Sequence, residues 1–230
     1  MSSKKDKLYL NLALNLAKNM EGLTGTNPSV GSVLVKNDEV ISLASTCYNG
    51  TPHSEFSLLN KIDKKIAKDS SLYVTLEPCS HYGKTPPCTN IIIDKKISRL
   101  VFGAHDIDER SSKKAKQVLK SKKVKVLNVN VPTITEFYKP YIFQRKYKRP
   151  YVIGKIACSN DFFIKSLKSK YISNTYAQSF SHYLRYKNQA ILVTYKTINE
   201  DNPSLDCRLP GLNEYSPIKV IIDKDLKVKK

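Results

Sequence analysis

His53, Glu55, Cys79 and Cys88 are the residues of this chain best suited to chemistry. Zinc that activates water takes three protein ligands and keeps one position open, and one His with two thiolates is such a set. Glu55, two residues past the His, is placed to move protons rather than to bind the ion. The cysteines close the runs Thr75-Leu76-Glu77-Pro78-Cys79 and Thr85-Pro86-Pro87-Cys88, with eight residues between them. A His-x-Glu alone is common, and cysteines this far apart are usually buried thiols. The order of the parts, with strands bounding them, favours a single metal centre. Cys47, Cys158 and Cys207 have no paired spacing or His neighbour and read as small buried residues.

The elements around these residues follow from periodicity. Leu8, Leu10, Leu12, Ala13, Leu16 and Ala17 predict a helix over 8–20, with Gly22 just beyond its end. Residues 30–35 and 40–45 read as a strand hairpin turning at 36–39. A helix is expected from about His53 towards Lys64, then a strand over 71–76, a short helix opened by Pro78-Cys79, and a helix from Cys88 through Ile93. A strand at 100–103, a helix at 113–120 and a strand at 124–130 follow. A His and a Cys at successive helix starts can converge on one ion, and a helix N-terminus favours the thiolate. This alternation predicts a three-layer α/β domain. The basic, tyrosine-rich segment 131–149 reads as a connecting helix and linker between a first domain, 1–130, and a second, 150–230. In the second, strands are expected at 151–157, 190–193 and 218–222, with a helix at 177–186.

Composition narrows the function classes. No apolar run is long enough to span a membrane, and the charged N-terminus lacks a signal-peptide core, so a cytoplasmic protein is expected. Five cysteines, an odd number, fit metal-bound and free thiols in a reducing compartment better than a disulfide framework. The net charge of +19 invites a nucleic-acid reading. Only six of the 39 basic residues are Arg, however, and the lysines are scattered in pairs, which argues against one.

Asn27-Pro28-Ser29-Val30-Gly31-Ser32-Val33, His53-Ser54-Glu55 and the run Thr75 to Cys88 resemble the bifunctional riboflavin-biosynthesis deaminase/reductase, a cytidine-deaminase-like family. Most cytidine and tRNA deaminases place two residues between the cysteines; the longer insert with His81, Gly83, Lys84 and two prolines is the riboflavin enzyme's mark. Ser54 stands where the family usually has Ala. The resemblance implies Zn2+ on His53, Cys79 and Cys88, with Glu55 as the catalytic residue. It implies removal of the 2-amino group of 2,5-diamino-6-ribosylamino-4(3H)-pyrimidinone 5′-phosphate by hydrolysis. Asn27 would bind the pyrimidine, and His81 and Lys84 the ribose phosphate.

From Arg149 the chain resembles the start of the same family's reductase domain, through Lys155-Ile156-Ala157, His182-Tyr183-Leu184-Arg185 and Thr197 to Arg208. The fold implied is a cytidine-deaminase-like α/β/α domain followed by a partial, dihydrofolate-reductase-like α/β domain. Lys155, Ser169, Arg185, Leu205 and Arg208 would line a phosphoribosyl site, and Ala157, Tyr171, Thr197 and Asp201 would touch NADPH. The family's Ser-Leu-Asp-Gly turn reads Ser159-Asn160-Asp161-Phe162, its Trp is Tyr171, and a small Gly is Thr194. No Gly follows Gly211, so no phosphate-cradling loop remains after it. The expectation is a competent deaminase joined to an incomplete reductase whose open edge favours self-association. Two other readings stay open: a nucleic-acid deaminase, favoured by charge, and a module in which zinc is structural.

Overall fold

The computed structural model describes residues 4–83, 85–108, 114–164 and 171–229. It divides into two units, Met1–Val152 and Ile153–Lys230.

The first unit is built on a five-stranded mixed sheet of order β2-β1-β3-β4-β5, formed by β1 (Gly31–Lys36), β2 (Glu39–Ser45), β3 (Ser71–Leu76), β4 (Arg99–Ala104) and β5 (Lys125–Asn128). β1 pairs antiparallel with β2 and β3, while β3, β4 and β5 run parallel. The β1–β2 turn carries Asn37 and Asp38 at φ 52° and 66°, the left-handed pair that matches strand twist in a two-residue hairpin loop.

Helix α1 (Lys4–Asn19) buries Tyr9, Leu10, Ala13, Leu14 and Ala17, one stripe at three- and four-residue spacing. It lies so close on β1 that a Cβ at Gly31 would meet the Ala13 carbonyl oxygen at 1.9 Å. The next strand residue, Ser32, points to the opposite face and meets Ser54 of α2 (Ser54–Leu59). Gly103 lies under Ile134 of α6 (Pro132–Phe137), in register with the α1 face. Helices therefore cover both faces, as a three-layer domain requires.

Three expectations change here. The helix after His53 stops at Leu59, and a separate α3 (Lys64–Ala67) starts where the Asp63 carboxylate accepts the Lys65 N–H at 2.7 Å. Pro78-Cys79 opens no helix. The Glu77 N–H is bound to the Ala104 carbonyl and the Cys79 carbonyl to the Thr89 N–H, so the backbone there is satisfied by neighbouring elements rather than by a helical turn. Segment 131–149 is not a free linker. It forms α6 and α7 (Lys139–Tyr147), after α4 (Cys88–Asp94) and α5 (Lys114–Ser121), and it buries Ile134 and Tyr138 in the core of the first unit. The Tyr138 hydroxyl donates to the Ser29 carbonyl at 2.9 Å and lies 2.6 Å from Thr75 Oγ1.

The second unit holds α8 (Thr175–Lys187), β6 (Ala190–Thr194), α9 (Tyr195–Asp201) and β7 (Ile218–Ile222), with β6 and β7 paired in parallel. The strand expected over 151–157 is irregular and mostly exposed chain. A strand needs a ladder partner, and among the described residues the second sheet holds β6 and β7 alone. All five residues of β7 are exposed. Phe162, where the family has Gly, keeps the left-handed conformation that Gly favours, at φ 66°. No helix among the described residues is long and apolar enough to cross a membrane.

Candidate active site

His53 is the N-cap residue of α2, Cys79 lies in the irregular chain leaving β3, and Cys88 is the first residue of α4. Their donor atoms all fall within 4.8 Å of one another. His53 Nδ1 lies 3.6 Å from Cys79 Sγ and 3.5 Å from Cys88 Sγ, and the Cys88 backbone N–H donates to Cys79 Sγ at 3.2 Å. The hydrogen bond from Cys88 holds the Cys79 thiol down at about 4, while contact with Cys79 and burial push Cys88 up. The hydrogen bond to Cys79 raises His53 to about 9. One nitrogen and two sulfurs converging from three elements is a donor set that zinc fits.

Glu55 follows in the first turn of α2 and is 3 % exposed. Burial raises its pKa, against the opposing pull of His53. Ser54 Oγ donates to Glu55 Oε2 at 3.0 Å and lies 2.6 Å from Ser32 Oγ, both hydroxyls being fully buried. The carboxylate is thereby fixed near the His53, Cys79 and Cys88 cluster, of which it is not a member.

His53, Glu55 and Cys79 line a cavity of about 340 Å³ together with Asn27 and His81. Asn27 Nδ2 donates to the Gly50 carbonyl at 3.0 Å. Gly50 has φ 84°, and a Cβ there would lie 2.6 Å from the Thr24 carbonyl oxygen, so only glycine closes this turn behind Asn27. Lys84 and Ser169 lie outside the described residues.

Among the cavity residues not assigned a role from sequence are Glu77, Asp106, Tyr141 and Arg145. Glu77 Oε2 is 2.8 Å from His105 Nδ1, and its Oε1 is buried without a hydrogen-bond partner among the described residues. Its place two residues before Cys79 was the available signal. Asp106 Oδ1 accepts the Tyr141 hydroxyl at 3.0 Å and the Asp108 N–H at 3.1 Å. Nothing in the local sequence connects α7 to the site.

In the second unit, Arg185 and Arg208 come together around Asp206. Arg185 donates to the Asp206 carbonyl at 2.9 Å and Arg208 pairs with the Asp206 carboxylate. His182, unassigned from sequence, accepts the Arg208 N–H at 3.1 Å; burial and the two arginines lower its pKa. Leu205 is buried at φ 56° next to this cluster in the chain. Lys155, Ala157 and Tyr171 lie in irregular chain outside it, and Thr197 and Asp201 lie on α9.

Residues 3–104 match the cytidine and deoxycytidylate deaminase zinc-binding region, and residues 150–230 match the RibD C-terminal domain. Over 97 % of its length the chain is similar to RibD proteins. It is 36 % identical over 229 residues to the riboflavin biosynthesis protein RibD of Aquifex aeolicus, covering 97 % of this chain and 63 % of that protein. It is 35 % identical to RibD of Bacillus amyloliquefaciens, covering 97 % of this chain and 60 % of the relative. The crystal structure of the Thermotoga maritima diaminohydroxyphosphoribosylaminopyrimidine deaminase/5-amino-6-(5-phosphoribosylamino)uracil reductase superposes with a TM-score of 0.88 at 31 % identity, covering 96 % of this chain and 63 % of that one. The chain thus spans about three fifths of the length of these RibD relatives.

Proposed function

We propose that the first unit removes the 2-amino group of 2,5-diamino-6-ribosylamino-4(3H)-pyrimidinone 5′-phosphate by hydrolysis, releasing ammonia. The observation that carries this reading is the convergence of His53, Cys79 and Cys88, with His53, Cys79 and buried Glu55 lining a cavity that Asn27 also lines. His53, Cys79 and Cys88 would hold zinc, which when bound supplies a Lewis acid that makes water acidic enough to react near neutral pH. Glu55 takes one proton from the attacking water and gives it to the ring nitrogen. It then takes the second from the hydroxyl left on the attacked carbon and gives it to the departing amine, so that the carbonyl forms as the C–N bond breaks and ammonia leaves neutral. Burial favours the protonated carboxyl needed for the return step, and Ser54 holds the group in place. Asn27, tied to Gly50 through its Nδ2, keeps its Oδ1 available to orient the pyrimidine. His81 and Lys84 are assigned to the ribose phosphate end.

In the second unit we assign a phosphoribosyl ligand to Arg185, Arg208 and Leu205, with Lys155 and Ser169. Burial and then the guanidiniums of Arg185 and Arg208 depress His182, and those guanidiniums support an anion there. Ala157, Tyr171, Thr197 and Asp201 are the residues assigned to NADPH. Ala157 and Tyr171 lie in irregular chain and Thr194 stands where the resemblance implies a small glycine, so the described residues form no complete cradle. Five free thiols accord with a reducing, cytoplasmic setting.

Ammonia release from the diaminopyrimidine ribosyl phosphate, set beside release from tRNA and single-stranded DNA, tests the reading. Turnover of the small molecule alone supports it. Turnover of nucleic acid alone would transfer the site to the competing class.

A further inference from the structure

Among the described residues, the cavity of the first unit is lined by more acidic than basic side chains. Glu55, Glu77, Asp106 and Asp108 all contribute to its wall, and among the described lining residues Arg145 is the one Lys or Arg. A phosphate monoester approaching four carboxylates needs a cation that is held in place.

Arg145 meets that need. It sits on α7, beyond residues 3–104, which match the deaminase family. Its NH2 donates to the Thr26 carbonyl at 3.2 Å, next to Asn27, and its guanidinium carbon lies 5.5 Å from the centre of the Tyr141 ring. Tyr141 is itself fixed by its hydroxyl bond to Asp106. No ion pair to Arg145 occurs among the described residues, and its Nε is buried without a hydrogen-bond partner. The side chain is therefore positioned by the Thr26 carbonyl and by the Tyr141 ring and hydroxyl, with its buried Nε uncommitted among the described residues.

Residue choice points the same way. Only six of 39 basic residues are Arg, and the others described have different employment. Arg99 is paired with buried Asp6, Arg149 stacks on Phe143 and Tyr147, and Arg185 and Arg208 belong to the second unit. In a chain that otherwise uses Lys, an Arg on a cavity wall offers the planar fork that binds phosphate oxygens in pairs.

We infer that Arg145 anchors the phosphate of the ligand bound in the first unit, as a specificity residue supplied by the helix that follows the deaminase core. This rests on the deaminase reading for the ligand's identity. The experiment compares the zinc-loaded full chain with Arg145→Gln and Arg145→Lys. Calorimetric titration with ribose 5-phosphate is one readout. KM for the diaminopyrimidine ribosyl phosphate and for its dephosphorylated riboside is the other. Arg145→Gln should remove one ribose 5-phosphate site and raise KM for the phosphorylated substrate roughly 10- to 100-fold, leaving the riboside unchanged. Arg145→Lys should recover part of the loss. Equal losses on both substrates would make Arg145 a clip for the Thr26–Asn27 turn, and unchanged binding would remove it from the site; either overturns the inference. If wild type turns over neither compound, the deaminase reading fails, and the ribose 5-phosphate titration still decides Arg145.

Discussion

The Tyr138 hydroxyl bridges two buried partners, donating to the Ser29 carbonyl at 2.9 Å and lying 2.6 Å from Thr75 Oγ1. Thr75 in turn accepts the Gly31 N–H at 3.1 Å. One phenol thus ties the junction of α6 and α7 to β1, to the segment carrying Asn27, and to the strand that leads to Glu77 and Cys79. Tyr138→Phe keeps the ring but strands two buried polar groups. The expected cost is about 1–3 kcal/mol, read as a lower urea midpoint. An unchanged midpoint would show that the bridge contributes nothing.

Ser32 and Ser54 form a buried hydroxyl pair whose outer end holds Glu55. Ser54→Ala leaves Ser32 without its partner and frees the carboxylate, and should cost about 1–2 kcal/mol of stability along with part of kcat. Replacing both serines by Ala removes the orphaned hydroxyl and should recover much of the stability but not the lost kcat. A double-mutant cycle measures this coupling; additive stability losses would contradict it.

The pH dependence of stability has a definite sign at Tyr73. Burial, followed by its hydrogen bond to Asp6, pushes this phenol up to about 12, and its neutral form lies between Asp6 and Arg99. Below its ordinary value of about 10, folded and unfolded chains both keep the proton. Between about 10 and 12 the unfolded chain releases it first, so stability drains as pH rises. Wild type should lose urea midpoint more steeply than Tyr73→Phe over this interval. Parallel slopes would remove Tyr73 from the linkage.

The convergence of His53, Cys79 and Cys88 was legible because it is written in residue type and spacing. His53, Glu55, Cys79 and Cys88 needed only their order, and the strands around them followed from apolar periodicity. Less legible were features decided by distant contacts. The helix expected at Pro78-Cys79 gives way to backbone bonds with Ala104 and Thr89. The basic, tyrosine-rich segment after residue 131 looked like a connector because its polar composition hides one buried face, Ile134 and Tyr138. For the same reason Tyr141 and Arg145 gave no local sign of reaching the cavity, where they arrive only through the packing of α6 and α7. In the second unit, the cluster of Arg185 and Arg208 was anticipated, whereas the strand over 151–157 was not realised, since periodicity cannot supply a ladder partner.

The central claim is that His53, Cys79 and Cys88 hold zinc while Glu55 moves the protons. The most direct measurement is zinc content and ammonia release from the diaminopyrimidine ribosyl phosphate, taken in parallel on wild type and Glu55→Gln. The account predicts one zinc in each first unit of both proteins, with turnover in the variant reduced at least about 10²- to 10⁴-fold. Undiminished turnover in a zinc-loaded Glu55→Gln protein would contradict it.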